Sequence, residues 1–250
     1  MANCPLISWL KTHHPPLSNI WQPTLKAQME SKIYWGVATL IVAIFITDFF
    51  MPRSGKEENL LPWHIEHPTA DSTRVFGVTL NKSTLNEAEQ IFREDATVSM
   101  FRSPQGKLAT EAYFDEVTLN GLKAKIVVTL AVPDTEMQAM LNRSVRAQGV
   151  GSGKQITLTS DDVAQVRRLP ISSLTYMPTV HLEEAAFTQR FGIPTQRIKE
   201  TNSGVIHWLY AQHGLDVTFD GAAKPILQYV APADFAKLSA PLMTVGKVLD

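Results

Sequence analysis

Histidine and carboxylate carry most of the chemistry this chain could perform. His64, Glu66 and His67 form a His-Ile-Glu-His run, and imidazole with carboxylate is a donor set that a divalent metal accepts. Histidines three apart converge on one ion only along a helix, and Pro62 and Pro68 leave little room for one. The run therefore reads as a solvated segment, and no metal is expected. His181, His207 and His213, near Glu183, Glu184 and Asp216, could supply a general base. They would suit a membrane-tethered hydrolase or transferase acting on cell-wall or lipid substrates. Such an enzyme needs a concave pocket in which a histidine meets a carboxylate. It also needs a nucleophile, and no Gly-x-Ser-x-Gly elbow is present. The single cysteine, Cys4, lies far from these histidines. It excludes an intramolecular disulfide, a Cys-x-x-Cys-His haem attachment and a cysteine-based zinc site. Gly149-Val-Gly-Ser-Gly-Lys154 has the look of a phosphate loop, but Gln148 stands where its first glycine belongs. Gln155 replaces the hydroxyl that would hold magnesium. A glycine linker is the plainer reading. No catalytic residue, cofactor or metal site is expected.

Position is more legible than activity. The run from Ile33 to Thr47 holds no charged residue, and Phe49, Phe50 and Met51 extend it past Asp48. Residues 33–51 would make roughly 28 Å of helix, close to the hydrocarbon thickness of a bilayer. Lys32 and Arg53 flank the run, and Tyr34 and Trp35 sit where an interfacial aromatic belt belongs. Pro52 stops the helix. The bulky Asp48-Phe-Phe-Met-Pro52 offers no small-residue cleavage site, which argues against a removed signal peptide. The expectation is a single-pass anchor in the inner (cytoplasmic) membrane, contacting the lipid bilayer through residues 33–51. Lys11, Lys26 and Lys32 in the 1–32 leader favour a cytoplasmic N-terminus, with the C-terminal region periplasmic or extracytoplasmic. The net charge of −1 argues against a nucleic-acid partner.

Residues 52–73 are rich in Pro, Gly and charge and read as a linker. Beyond them the pattern predicts an α+β region of two small antiparallel-sheet lobes with packed helices, at 74–148 and 154–238, then a tail at 239–250. In the first lobe, Arg74–Leu80 is a short strand candidate. Thr84-Leu-Asn-Glu87 fits a capping box, with Leu85, Ala88, Ile91 and Phe92 at helical spacing behind it. Strand candidates follow near 96–103 and 108–118. Asn120-Gly121 predicts a type I′ hairpin turn. It leads into Leu122, Ala124, Ile126, Val128, Leu130 and Val132, the alternation of a half-buried strand. Asp134 or Thr135 then caps a helix with Met137, Met140, Leu141 and Val145 on one face. Gln148–Gly153 reads as the seam between lobes. In the second lobe, helices are expected from Ser160 and around Leu182–Phe191, after an extended stretch at 171–178. Strand candidates lie at 195–201, 204–211, 214–220 and 224–230. Thr84-Leu-Asn-Glu-Ala88 and His181-Leu-Glu-Glu-Ala185 hint at a repeat.

Trp208 and Tyr210 share a strand face with Ile206. They are either an aromatic platform for a peptide, lipid or glycan, or ordinary sheet core. Around them, a helix ends in Phe191-Gly-Ile-Pro194. A Trp208-Leu-Tyr210 strand, Leu215-Asp-Val-Thr-Phe219 and a turn at Asp220-Gly221 follow. This segment, from Leu182 to Val230, resembles the small periplasmic modules of the SmpA/OmlA type. The resemblance implies a helix-on-antiparallel-sheet module that binds other envelope proteins and has no catalytic residues. The chain departs from that family in lacking a lipobox cysteine, in its transmembrane anchor and in the lobe that precedes the matched one. The function expected is that of a non-enzymatic accessory or assembly subunit, binding a protein partner of the cell envelope. A pair of lobes gripping a lipid or peptide is the other binding reading, and open strand edges offer a further docking mode.

Overall fold

The computed structural model describes residues 60–69 and 71–249. The expected leader at 1–32 and span at 33–51, with Lys32, Tyr34, Trp35 and Arg53, lie outside them. Among the described residues, no helix is long and apolar enough to cross a membrane.

The region is α+β and antiparallel. In chain order its elements are β1 (Arg74–Val75), β2 (Val78–Thr79), α1 (Leu85–Phe92), β3 (Thr97–Arg102), β4 (Leu108–Leu119), β5 (Leu122–Leu130), α2 (Asp134–Asn142), β6 (Arg146–Val150), β7 (Gly153–Thr157), α3 (Ser160–Val166) and β8 (Ile171–Pro178). They continue with α4 (Glu184–Phe191), β9 (Gln196–Glu200), β10 (Ile206–Tyr210), β11 (Leu215–Phe219), β12 (Ile226–Val230), α5 (Phe235–Val245) and β13 (Gly246–Leu249). Apart from the small β1–β2 hairpin, the strands form one sheet in the order β13-β9-β10-β11-β12-β8-β5-β4-β3-β7-β6.

Local signals behave as their chemistry demands. Thr84 caps α1 as expected: its hydroxyl accepts from the Glu87 amide, and the Glu87 carboxylate accepts from the Thr84 amide at 2.8 Å. Asn120 and Gly121 take φ angles of 46° and 80°, the left-handed pair a type I′ turn requires. Two α2 expectations fail. Neither Asp134 nor Thr135 caps the helix: Pro133 is the N-cap, with no side-chain cap bond, and Asp134 is already helical. Met137 and Met140 are buried, but Val145 is 69% exposed because the chain has left the helix by then. Arg143 instead ties α2 to α3, reaching Asp162 at 2.6 Å and Glu136 at 2.6 Å.

Larger-scale expectations need correction. Gln148–Gly153 is not a seam; it spans the turn of the β6–β7 hairpin, with Val150 opposite Gly153. The two sheets are one, because β8 pairs with β5 on one side and β12 on the other. From residue 60 the supposed linker packs on the fold. Leu60, Trp63 and Ile65 lie against the core, and Tyr229 donates its hydroxyl to the Pro62 carbonyl at 2.7 Å. The supposed tail holds the end of α5 and the edge strand β13, which pairs with β9.

Directly opposed residues in an antiparallel pair point to the same face, so the register sorts the whole sheet. One cross-strand row reads Val98, Ala112, Val128, Leu174, Tyr229, Leu215, Tyr210. All of these but Val98 are buried, and Val98 packs against the same core. This is the core face. Its centre is Phe76, whose ring stacks on Tyr176 at 4.9 Å and meets Tyr229 edge-on at 5.9 Å. Phe76 has φ of 51° and is 1% exposed, a backbone state a bulky residue keeps only when its surroundings enforce it.

Two substitutions separate ring from backbone. Phe76→Ala is expected to cost about 3–5 kcal/mol in urea unfolding. Phe76→Gly should cost about 1 kcal/mol less, since glycine tolerates the left-handed angle. Alanine proving the milder change would contradict this account of Phe76.

Candidate functional site

Two places collect side chains with chemistry, both on the sheet face away from Phe76. The first is built by neighbouring strands. His207 on β10 lies opposite Thr218 on β11 and Ile198 on β9. Its diagonal neighbours are Asp216 and Glu200. His207 Nδ1 is 2.8 Å from Asp216 Oδ2, and Nε2 faces Glu200 Oε1 at 3.4 Å without the alignment of a hydrogen bond. Both members of the close pair are buried, at 8% and 3% exposure. Ile198 and Leu209 on the same face have almost no exposure either, and α5 packs against β9 and β13 there. Gly246 lets the chain pass: a Cβ there would lie 2.3 Å from Ile198 Cγ2.

Burial alone would lower the proton affinity of His207. The hydrogen bond and charge of Asp216, joined by Glu200, outweigh it and raise the imidazole above its ordinary value. Burial also pushes the Asp216 carboxyl up, with His207 pulling it back. The two titrate as a pair. The imidazole gains proton affinity because two carboxylates flank it, Asp216 and Glu200. Such a dyad resembles the base and orienting group of a hydrolase, yet a base must reach the proton it takes. His207 is shielded on both sides and has no nucleophile beside it; the Thr218 hydroxyl lies 3.4 Å from Nδ1, the nitrogen that Asp216 already holds. The arrangement holds β9, β10 and β11 together.

The second place lies on the first half of the same face. There the row reads Thr97, Tyr113, Val127, Thr175, Gln228, Asp216. Thr97, Ser99 and Phe101 on β3, Glu111 and Tyr113 on β4, Val127 on β5 and Gln155 on β7 line a recess of about 200 Å³. Gln155 donates to the Ser99 hydroxyl at 2.9 Å. The Tyr113 hydroxyl donates to Asp115 at 2.6 Å and accepts from Lys125 at 2.8 Å, which fixes the ring. Glu111 makes no hydrogen bond or ion pair among the described residues, and burial raises its carboxyl above the usual range. At the rim, β6 is exposed along its whole length and, among the described residues, pairs only with β7.

Of the residues singled out from sequence, His207 and Asp216 come together in the first place, and the others fall elsewhere. Trp208 and Tyr210 are core. At 5% and 0% exposure they pack with Phe219 and Phe191, the latter on α4, and so present no binding face. His64 meets Glu66 at 3.2 Å, while His67 turns away to the Ser72 carbonyl and stacks on His213 at 6.3 Å. His181 is exposed. Among the described residues, no three His, Cys, Asp or Glu side chains are placed to hold a metal ion. Sequence reading missed Glu200, Glu111 and Phe101. The alternation of Thr97, Ser99 and Phe101 against Val98 and Met100 was the available signal for the second site. Compared with known proteins, the chain matches no family model, no curated protein and no solved structure.

The raised His207 sets a pH dependence with a definite sign. Its stabilisation is fully present below about pH 6.5, where the unfolded histidine titrates, and is lost as pH rises through the higher folded value. Thermal melts should therefore show the advantage of the wild type over a His207→Gln/Asp216→Asn double variant shrinking as pH rises above about 6.5. An advantage that stays constant or grows would show that the histidine holds no extra proton in the fold.

Proposed function

We propose that this chain is a single-pass, membrane-anchored envelope protein that acts as a non-enzymatic accessory subunit, binding other envelope proteins through its folded region. The observation that carries the binding reading is the asymmetry of the sheet. In its first half, one face is buried against the core, to which Leu85, Ala88, Phe92, Met137, Met140 and Val166 of α1, α2 and α3 belong. The opposite face, with Thr97, Tyr113, Lys125, Val127 and Thr175, stays half-buried or exposed and carries no helix among the described residues. It holds two aromatic rings and a recess, and runs to the unpaired edge β6. A sheet face of this kind, next to an edge that can accept another strand, is suited to a protein partner. The apolar run at 33–51 supports the anchor, and the SmpA/OmlA resemblance over Leu182–Val230 supports the envelope setting.

Buried His207 and Asp216 speak for the binding reading over the hydrolase. Their partners are each other and neighbouring strands, with no reacting group between them.

Photocrosslinking in intact cells tests the proposal. A benzoyl-phenylalanine placed in the full-length chain at Thr97, on the bare face, or at Gln148, on the edge, should capture the same discrete envelope protein. The same probe at the exposed Lys224 beyond β11 should capture none. Equal capture at all three positions, or none at Thr97 and Gln148, would overturn it.

A further inference from the structure

We infer that the recess on the bare sheet face receives an arginine side chain of the protein partner. This rests on the binding reading and supplies its chemistry. The recess, at about 200 Å³, falls below the roughly 300–1,000 Å³ typical of pockets for drug-sized ligands. It is matched to one side chain. Its walls are the rings of Phe101 and Tyr113 and the aliphatic Val127, and its charge is the Glu111 carboxylate.

Charge decides the occupant. Asp115 is matched by Lys125 at 2.6 Å, so that pair adds no net charge. Glu111 has no such partner among the described residues, although it is partly withdrawn from water. A carboxylate in that position pays for its desolvation unless a cation meets it. The Phe101 ring beside it attracts a cation as well, while the Tyr113 ring already has Lys125 Nζ 5.5 Å from its centroid. Guanidinium satisfies both demands better than ammonium: it is planar, less strongly hydrated, stacks on rings and donates two parallel hydrogen bonds to one carboxylate. Gln155 and Ser99, already bonded to each other, form the polar wall. A neutral side chain of equal size would leave Glu111 uncompensated.

Fluorine NMR on the full-length chain tests this. The chain has five tyrosines. Labelled with 3-fluorotyrosine, it reports on Tyr113 in the recess and, as internal controls, on the buried Tyr176, Tyr210 and Tyr229 of the other face. The probe is N-acetyl-arginine amide, and the neutral comparison is N-acetyl-citrulline amide. The Tyr113 signal should move saturably with the arginine probe while the three buried signals stay fixed. Affinity should fall at least roughly tenfold for the citrulline probe and for Glu111→Gln, as loss of a charged hydrogen-bonded pair implies. Unchanged buried tyrosine signals in Glu111→Gln would show that the fold is intact, and the citrulline arm needs no variant. No saturable shift at Tyr113, or equal binding by both probes, would overturn the inference. Crosslinking at Thr97 with no arginine response would remove the arginine site and leave the binding reading standing. An arginine response without partner capture would do the reverse.

Discussion

Phe76 between Tyr176 and Tyr229 is the contact on which the rest of the fold depends. Tyr176 belongs to β8 and Tyr229 to β12, adjacent strands at the middle of the sheet. β8 in turn pairs with β5, so the ring sits beneath the junction of the two halves. The backbone at Phe76 holds a left-handed angle that costs a non-glycine residue about 1–2 kcal/mol. Burial of an aromatic ring offsets a cost of that size. The strap from residue 60 closes over the same place, where Pro62 accepts the Tyr229 hydroxyl and Thr73 donates to the Val230 carbonyl at 3.0 Å. One core results where sequence periodicity suggests two.

A single core commits one face of the sheet to structure and leaves the other to be used in two ways. At the β3–β5 end its polar and aromatic residues meet no helix among the described residues. At the other end α5 packs against β9 and β13, and the buried His207–Asp216 pair links β10 to β11. Chemistry follows from this division. The buried histidine–carboxylate pair, His207 and Asp216, is closed off from solvent, whereas Glu111, with no ion-pair partner among the described residues, is only partly buried.

Short-range features were legible because their causes are short-range. The Thr84–Glu87 box, the Asn120-Gly121 turn and the alternation from Leu122 to Leu130 each depend on a few neighbouring residues, and each forms as read. The strand at Ile171–Pro178 was also visible, but not its partners. Those contacts join residues about fifty apart in sequence, which no local pattern encodes. Gln148–Gly153 misled because a glycine-rich turn and a glycine-rich linker have the same composition. α5 was hidden by Pro241 and by a half-buried apolar stripe, Phe235, Leu238 and Leu242, that no fully buried residue reinforces. Alternation favoured core over platform for Trp208 and Tyr210, and α4, whose Phe191 meets Tyr210, packs on that face. Glu111 was invisible as a site residue, since its significance lies in its having no partner among the described residues.

Hydrogen exchange compares the two faces directly. The full-length chain would be measured in isolated native membranes and again after purification. The account predicts slower exchange in the membrane-held protein at β3, β4 and the β6–β7 hairpin, where a partner covers the bare face and its edge. Exchange in α4 and β10, already packed in the core, should be the same in both. No slowing at β3, β4 and β6, or slowing confined to α4, would contradict the assignment of the bare face as the binding surface.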